Sequence, residues 1–405
     1  MRVRGLSAWV ALTTVLGIAL TGAAAGPRVY REPGLITAPG YRHVADLSAL
    51  TAEDRAWLAE GRIPGVGTPW SDMATWALLD LRAFVHPNGA VAAGPGQAWT
   101  YTWPRDAAFV AVALSRTGHR SDAVGVLDFL STLPFDSATG FDARYTLAGH
   151  RVRGPAQREA QSDGCGWVLW AVSTVRAHPP PAGPMPVDAR VDDLVSRCTA
   201  TLIALTGGGR RLPPATPDYV ELPVSGTTLA TVAPMLTGLR AAVGDYLRRG
   251  ERAAALVAAV AADQLDTTLA ARLGPRYERY GGHGGADAGS AMLMPPLGDG
   301  GAAETAAWLR YQAEARRPAG GLAPAVDWRA DGTSWTPETA LVAYVAAGSG
   351  RPDLARGWLT WLDAHRTAYG SLPEKVTRSG LPAGPAPLLW TSALVLLTLT
   401  ELDER

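Results

Sequence analysis

Apolar residues fall at helical spacing through most of this chain, whereas alternating apolar and polar positions, the mark of a half-buried strand, are scarce and short. The pattern predicts helices over residues 51–61, 69–84, 104–117, 121–133, 160–177, 187–206, 225–243, 250–273, 286–294, 303–316, 336–347, 351–366 and 386–402. Several ends have a local cause. Ser121 precedes Asp122-Ala123-Val124 as an N-cap, and Thr336-Pro337-Glu338 supplies a cap, a proline at the first helical position and an acid in the first turn. Gly118 and Gly348 mark stops, and Pro234, inside an apolar run, should kink or end its helix.

About a dozen helices without an obvious linker imply an all-α chain whose helical hairpins close into one barrel or pack as a large bundle. Pro179-Pro180-Pro181 is the most linker-like segment and is too short to separate domains. No repeat of fixed period is present, which argues against a solenoid. Residues 26–50 read as an irregular lead-in and 51–405 as one domain. Connections 207–224, 274–286, 317–335 and 367–385 are long and rich in Gly and Pro. Loops of that length in a compact domain usually carry function.

The N-terminus changes this picture first. Basic Met1-Arg2-Val3-Arg4, a mostly apolar stretch from Leu6 to Leu20 and small Ala23-Ala24-Ala25 form the three parts of a secretory signal peptide over 1–25. An uncleaved anchor is disfavoured, since roughly 15 residues are short for a span. The mature chain is expected to be exported and soluble, without stable membrane insertion. Its 37 basic and 37 acidic side chains give no argument for nucleic acid or an anionic membrane, so a neutral partner is the default. The 14 Trp against 5 Phe are a skewed choice of aromatic. Trp joins a flat apolar face to one N–H donor and suits sugar rings as well as cores. Two cysteines, Cys165 and Cys198, fall on consecutive helices, where they could bridge or remain buried thiols.

Candidate chemistry narrows by elimination. The seven histidines are scattered without helical i, i+3 or i+4 spacing, so neither a metal nor another cofactor is expected. No Gly-x-Ser-x-Gly elbow is present, and Gly281-Gly282-His283-Gly284-Gly285 follows no clear strand. Loop carboxylates before helices are better candidates. Glu221, in Pro217-Asp218-Tyr219-Val220-Glu221-Leu222-Pro223, has apolar neighbours, and carboxyl groups in such settings hold a proton more tightly, as a general acid must. Glu374, in Tyr369-Gly370-Ser371-Leu372-Pro373-Glu374-Lys375, is the second. A third stretch, Trp99-Thr100-Tyr101-Thr102-Trp103-Pro104-Arg105-Asp106, sets an Arg-Asp pair beside an aromatic wall at the mouth of a buried helix.

Taken in order, these blocks resemble the glucoamylase family, glycoside hydrolase family 15. Trp103-Pro104-Arg105-Asp106 is similar to that family's Trp-x-Arg-Asp, and Gln161-Ser162-Asp163-Gly164 to its Gln-x-Asp-Gly. Asp218 to Glu221 resembles the segment with the catalytic acid, Gly370 to Glu374 the segment with the catalytic base, and Trp390 follows downstream as in the family. The resemblance implies an (α/α)6 barrel with long loops forming a pocket at one end. It also implies an inverting exo-acting hydrolase, a glucan 1,4-α-glucosidase or a related α-glucosidase or trehalase, that takes glucose from the non-reducing end of an oligo- or polysaccharide. Glu221 and Glu374 would be acid and base, and Trp103, Arg105, Asp106, Asp163, Trp335 and Trp390 would bind the sugar. Three departures motivate a competing expectation, a carbohydrate-binding or cell-envelope protein that kept the barrel and lost turnover. Leu222 replaces a second acid, Gln157 stands near an expected Trp, and Arg329 only approximates the family's loop Arg.

Overall fold

Two kinds of helix alternate along the chain. In the computed structural model, which describes residues 34–42, 45–178 and 189–405, α1 (Ala52–Glu60) and α2 (Ser71–Phe84) come first. After them α3 (Pro104–Arg116), α5 (Gly164–Ala177), α7 (Leu229–Arg248), α10 (Thr336–Gly348) and α12 (Leu389–Asp403) are buried on most sides. Interleaved with these are α4 (Arg120–Thr132), α6 (Ala189–Leu205), α8 (Arg252–Leu273), α9 (Ala302–Glu314) and α11 (Pro352–Ala364). The second group buries one stripe: in α11 it is Ala355, Trp358, Leu359 and Leu362, the spacing of a helix with one face on a core. Helices apolar all round belong inside, and striped ones outside.

The inner elements form a closed ring. α3 packs on α5, α5 on α7, α7 on a short 3₁₀ segment at Ala288–Leu293, that segment on α10, α10 on α12, and α12 back on α3. Each inner element touches an outer partner: α4, α6, α8, α9 and α11 in turn, while α12 takes α2 from the start of the chain. Six inner and six outer elements make an (α/α)6 barrel, as the sequence resemblance implied. The segment expected as a helix over 286–294 is the exception, reduced to a six-residue 3₁₀ turn.

Three local expectations need correction. Pro234 does not end its helix, since it lies inside α7, which runs on to Arg248. Packing against α5, α8 and the 3₁₀ segment overrides the local cost of about 3 kcal/mol. Helix α4 begins one residue earlier than expected, with His119 at the cap and no side-chain cap bond, so Ser121 is inside it. Thr336 is the first residue of α10 rather than its cap, because its hydroxyl bonds Pro373 O and Thr391 Oγ1.

The signal-peptide expectation, residues 26–33 of the lead-in and Pro179-Pro180-Pro181 lie outside the described residues. The rest of the lead-in is less irregular than expected. β1 (Leu35–Ile36) pairs in parallel with β4 (Pro382–Pro385), which pairs with β3 (Lys375–Val376), which pairs with β2 (Ser334–Trp335). Tyr41 and Arg42 both bond the fully buried Asp80 of α2. Cys165 and Cys198 form a disulfide that ties the start of α5 to α6. By length and composition α8 could cross a membrane; here it is an outer barrel helix packed on α7.

Candidate active site

The inner helices all begin at one end of the barrel, and the chemistry collects there. Pro104, pre-set for a helix start, places Arg105 and Asp106 in the first turn of α3, both about 5% exposed. Asp163 directly precedes α5, Glu221 lies in the loop ahead of α7, Trp335 precedes α10, and Trp390 is in the first turn of α12. Pairing of Trp335 with Lys375 in the small sheet brings the adjoining Glu374 to the same end. The Glu374 N–H donates to Pro385 O at 2.9 Å, and its carbonyl accepts from Thr336 N at 3.1 Å.

Glu221 has a left-handed backbone, with φ of 56°. A non-glycine residue there costs about 1–3 kcal/mol and persists only where its surroundings enforce it. Here Asp218 does so: its carbonyl accepts from Glu221 N at 2.9 Å, and its Oδ1 from Val220 N at 3.2 Å. Arg279 anchors Asp218 Oδ2 at 2.6 Å and reaches Asp287 Oδ2 at 2.8 Å. The side chain of Glu221 is not in the apolar setting its sequence neighbours implied. Its Oε1 accepts from the indole Nε1 of Trp103 at 2.5 Å and the amide Nε2 of Gln161 at 3.3 Å, and its Oε2 from Arg158 Nε at 3.3 Å.

Glu374 is held differently. Trp99 Nε1 donates to Oε1 at 3.3 Å, and Lys375 Nζ stands 2.8 Å from Oε2 while lying over the Trp335 ring at 4.4 Å. Trp99, which the sequence left without a role, thus reaches one of the two loop glutamates. Tyr101 packs beneath the guanidinium of Arg144, 4.3 Å from the ring centroid.

Arg105 joins the remaining groups. It pairs with Asp106 at 3.2 Å and Asp163 at 3.4 Å, donates to Gln161 Oε1 at 3.0 Å, and lies over the Trp390 ring at 5.1 Å. Burial pushes the Asp106 carboxyl up to about 6; adjacent Arg105 opposes this, while Glu221 and Asp163 add to it. Burial also raises Asp163, again against the pull of Arg105.

A cavity of about 260 Å³ opens among these side chains, just below the roughly 300–1,000 Å³ of drug-sized ligand pockets. Trp103, Arg105, Asp106, Glu221, Trp335, Glu374 and Trp390 line it. Asp163 does not, and stands behind Arg105 as its ion partner. Arg329 lies over Trp328 and outside the lining, and Leu222 is 38% exposed. Sequence reasoning missed Trp99, Arg144, Arg158, Tyr219 and Glu338 among the lining residues. For Glu338 the signal was present, an acid in the first turn of an apolar helix, and its dipole-compensating role concealed it. Among the described residues, five buried polar atoms of lining residues have no partner, Arg105 Nε, Arg144 Nε, Trp335 Nε1, Glu338 Oε2 and Trp390 Nε1, and two more, Asp106 Oδ2 and Glu374 Oε2, have only their ion-pair contacts with Arg105 and Lys375. Buried polar groups are seldom left so, and a pocket that gathers them suits a ligand rich in donors and acceptors.

The chain matches no family model and no curated protein. Among solved structures it is similar to a glycosidase known as the wild type and as variants, one in complex with glucose; TM-score is 0.69, identity 20%, and coverage 88% of this chain and 99% of that one. The glucoamylase from Saccharomycopsis fibuligera matches with TM-score 0.61 and 15% identity over 80% of this chain and 92% of its own. A bacterial glucoamylase complexed with acarbose gives TM-score 0.64 and 16% identity over 82% of this chain and 56% of its own. The shared feature is the fold, an (α/α)6 barrel that occurs in glycosidases and glucoamylases.

Proposed function

We propose that the protein is a glycoside hydrolase of the glucoamylase type, an inverting exo-enzyme that releases glucose from the non-reducing ends of α-glucans or oligosaccharides. The observation that carries this reading is the meeting of two loop glutamates, distant in sequence, in one small pocket whose lining leaves donors and acceptors unpartnered. Glu221 protonates the leaving oxygen from Oε2, while Trp103 and Gln161 hold the carboxyl in place by donating to Oε1. Glu374 takes a proton from the water that attacks the anomeric carbon from the opposite face, with Trp99 orienting it. Inversion needs roughly 6.5–9.5 Å between the two carboxyl groups to admit that water. Trp103, Trp335 and Trp390 wall the sugar ring, Arg105 and Asp106 bind its hydroxyls, and Asp163 acts through Arg105. A cavity of about 260 Å³ suits one ring better than a length of chain, which supports action at an end. The basic, apolar and small-residue segments over 1–25 support export.

A second reading, a carbohydrate-binding protein on the same barrel without turnover, draws on Arg158. Its guanidinium lies 3.3 Å from Glu221 Oε2 and must give way before a leaving oxygen can approach that atom. Incubation with maltooligosaccharides and trehalose, followed by NMR, separates the two. Fresh β-glucose is expected from the wild type and none from Glu221→Gln or Glu374→Gln. Full activity in either variant refutes the assignment, and sugar binding without release favours the second reading.

A further inference from the structure

Among the described residues, Glu338 is the one pocket carboxyl with no hydrogen bond or ion pair to another side chain. Asp106 has Arg105, Glu221 has Trp103, Gln161 and Arg158, and Glu374 has Trp99 and Lys375. Glu338 is 2% exposed, lines the cavity, and its buried Oε2 has no hydrogen-bond partner. Its position is also telling. Pro104, Arg105 and Asp106 open α3, and Thr336, Pro337 and Glu338 open α10, so Asp106 and Glu338 are each the third residue of an inner helix. The ring turns both into the same pocket.

We propose that Glu338 binds the substrate directly, donating a hydrogen bond from its carboxylic acid to a hydroxyl of the sugar held beside Glu374. This rests on the hydrolase reading above and adds a third functional acid to it. A carboxyl buried with no cation of its own is more stable neutral, and a neutral acid carries an O–H donor as well as acceptor oxygens. The groups around Glu338 act in that direction. Burial pushes it up to about 8, Glu374 from the segment after α11 and Asp287 at the head of the 3₁₀ segment add like charge, and its own backbone N–H and Arg105 of α3 oppose. Tyr219 from the loop before α7 and Tyr311 of α9 are the remaining titratable neighbours; burial raises both, so they stay uncharged. From α12 the pocket receives Trp390, which does not titrate.

The test is a binding titration in the non-hydrolysing Glu221→Gln protein, using whichever of maltose, isomaltose and trehalose binds best by calorimetry. Affinity is expected to fall by up to about tenfold between pH 6.5 and 9 as Glu338 ionises, the limit that one titrating group at about 8 sets over that range. Adding Glu338→Gln, which keeps an N–H donor of similar shape, should hold affinity within about threefold at pH 6.5 and flatten the pH dependence. Adding Glu338→Ala should weaken binding at least tenfold at pH 6.5. Melting curves accompany each variant, and removal of an unpaired buried acid should leave them unchanged or raised. Undiminished binding in the Ala variant, or the same pH dependence with Gln as with Glu, overturns the proposal while leaving Glu221 and Glu374 in place. Failure of the wild type to bind or cleave any of these sugars defeats the hydrolase reading itself, and this inference with it.

Discussion

Replacing Arg279 with Met should damage both the stability of the barrel and the turn that presents Glu221. The guanidinium lies between Asp218 and Asp287, whose side chains are fully buried. Asp218 shapes the turn at Glu221, while Asp287 caps the 3₁₀ segment by accepting from Gly289 N at 2.8 Å. One side chain therefore ties a pocket loop to the shortest member of the inner ring. Met keeps most of the stem and removes the charge. Taking away one partner of a buried ionic cluster costs about 3–5 kcal/mol, because the carboxylates left behind are desolvated and uncompensated.

The pH dependence has a definite sign. Burial and Asp218 already push Asp287 up, against the pull of Arg279. Without that pull the folded state holds a proton that the unfolded chain releases near pH 4, so stability declines as pH rises above that value. Urea unfolding followed by tryptophan fluorescence should show a larger loss at pH 7 than at pH 4. The triple variant Arg279→Met, Asp218→Asn, Asp287→Asn removes the stranded charges and should recover most of the stability. Initial rates of sugar release by Arg279→Met, below its melting range, should drop at least tenfold with the turn loosened. An unfolding curve like that of the wild type, or a loss equal at both pH values, would refute the account of the triad.

Trp103→Phe keeps an aromatic wall but removes the N–H that reaches Glu221 at 2.5 Å. A hydrogen bond contributes about 0.5–1.5 kcal/mol net, so kcat/KM should fall roughly two- to tenfold with little change in melting temperature; an unchanged kcat/KM would show that Trp103 does not orient Glu221. Gly166→Ala tests the ring itself, since a Cβ there would lie 2.2 Å from Pro234 O and α5 and α7 would have to part. The expected cost by urea unfolding is at the upper end of overpacking, about 3 kcal/mol, and a loss under about 0.5 kcal/mol would mean that the two helices separate freely.

The helices were legible because burial on one face or on all faces leaves a period in the sequence that packing does not erase. What the period could not carry was which helix ends meet. Ser121 and Thr336 have the chemistry of caps, yet the bonds open to each were decided by neighbours distant in sequence, Pro373 and Thr391 in the case of Thr336. Pro234 followed the same rule, a local preference overridden by the helices around it. At the pocket, residue types at helix starts were readable, while lining and support were not: Arg105 and Asp163 are both buried and charged, but only the first reaches the cavity. Glu338 shows the same limit from the other side. As an acid in a first turn it resembles a partner for the helix dipole, and its alternative role follows only once α10 is known to be an inner helix. Because all inner helices of this barrel start at the pocket end, an acid at the third position of an apolar helix here has two competing explanations. Asp106 and Glu338, matched in position and both lining the cavity, favour the pocket over the dipole.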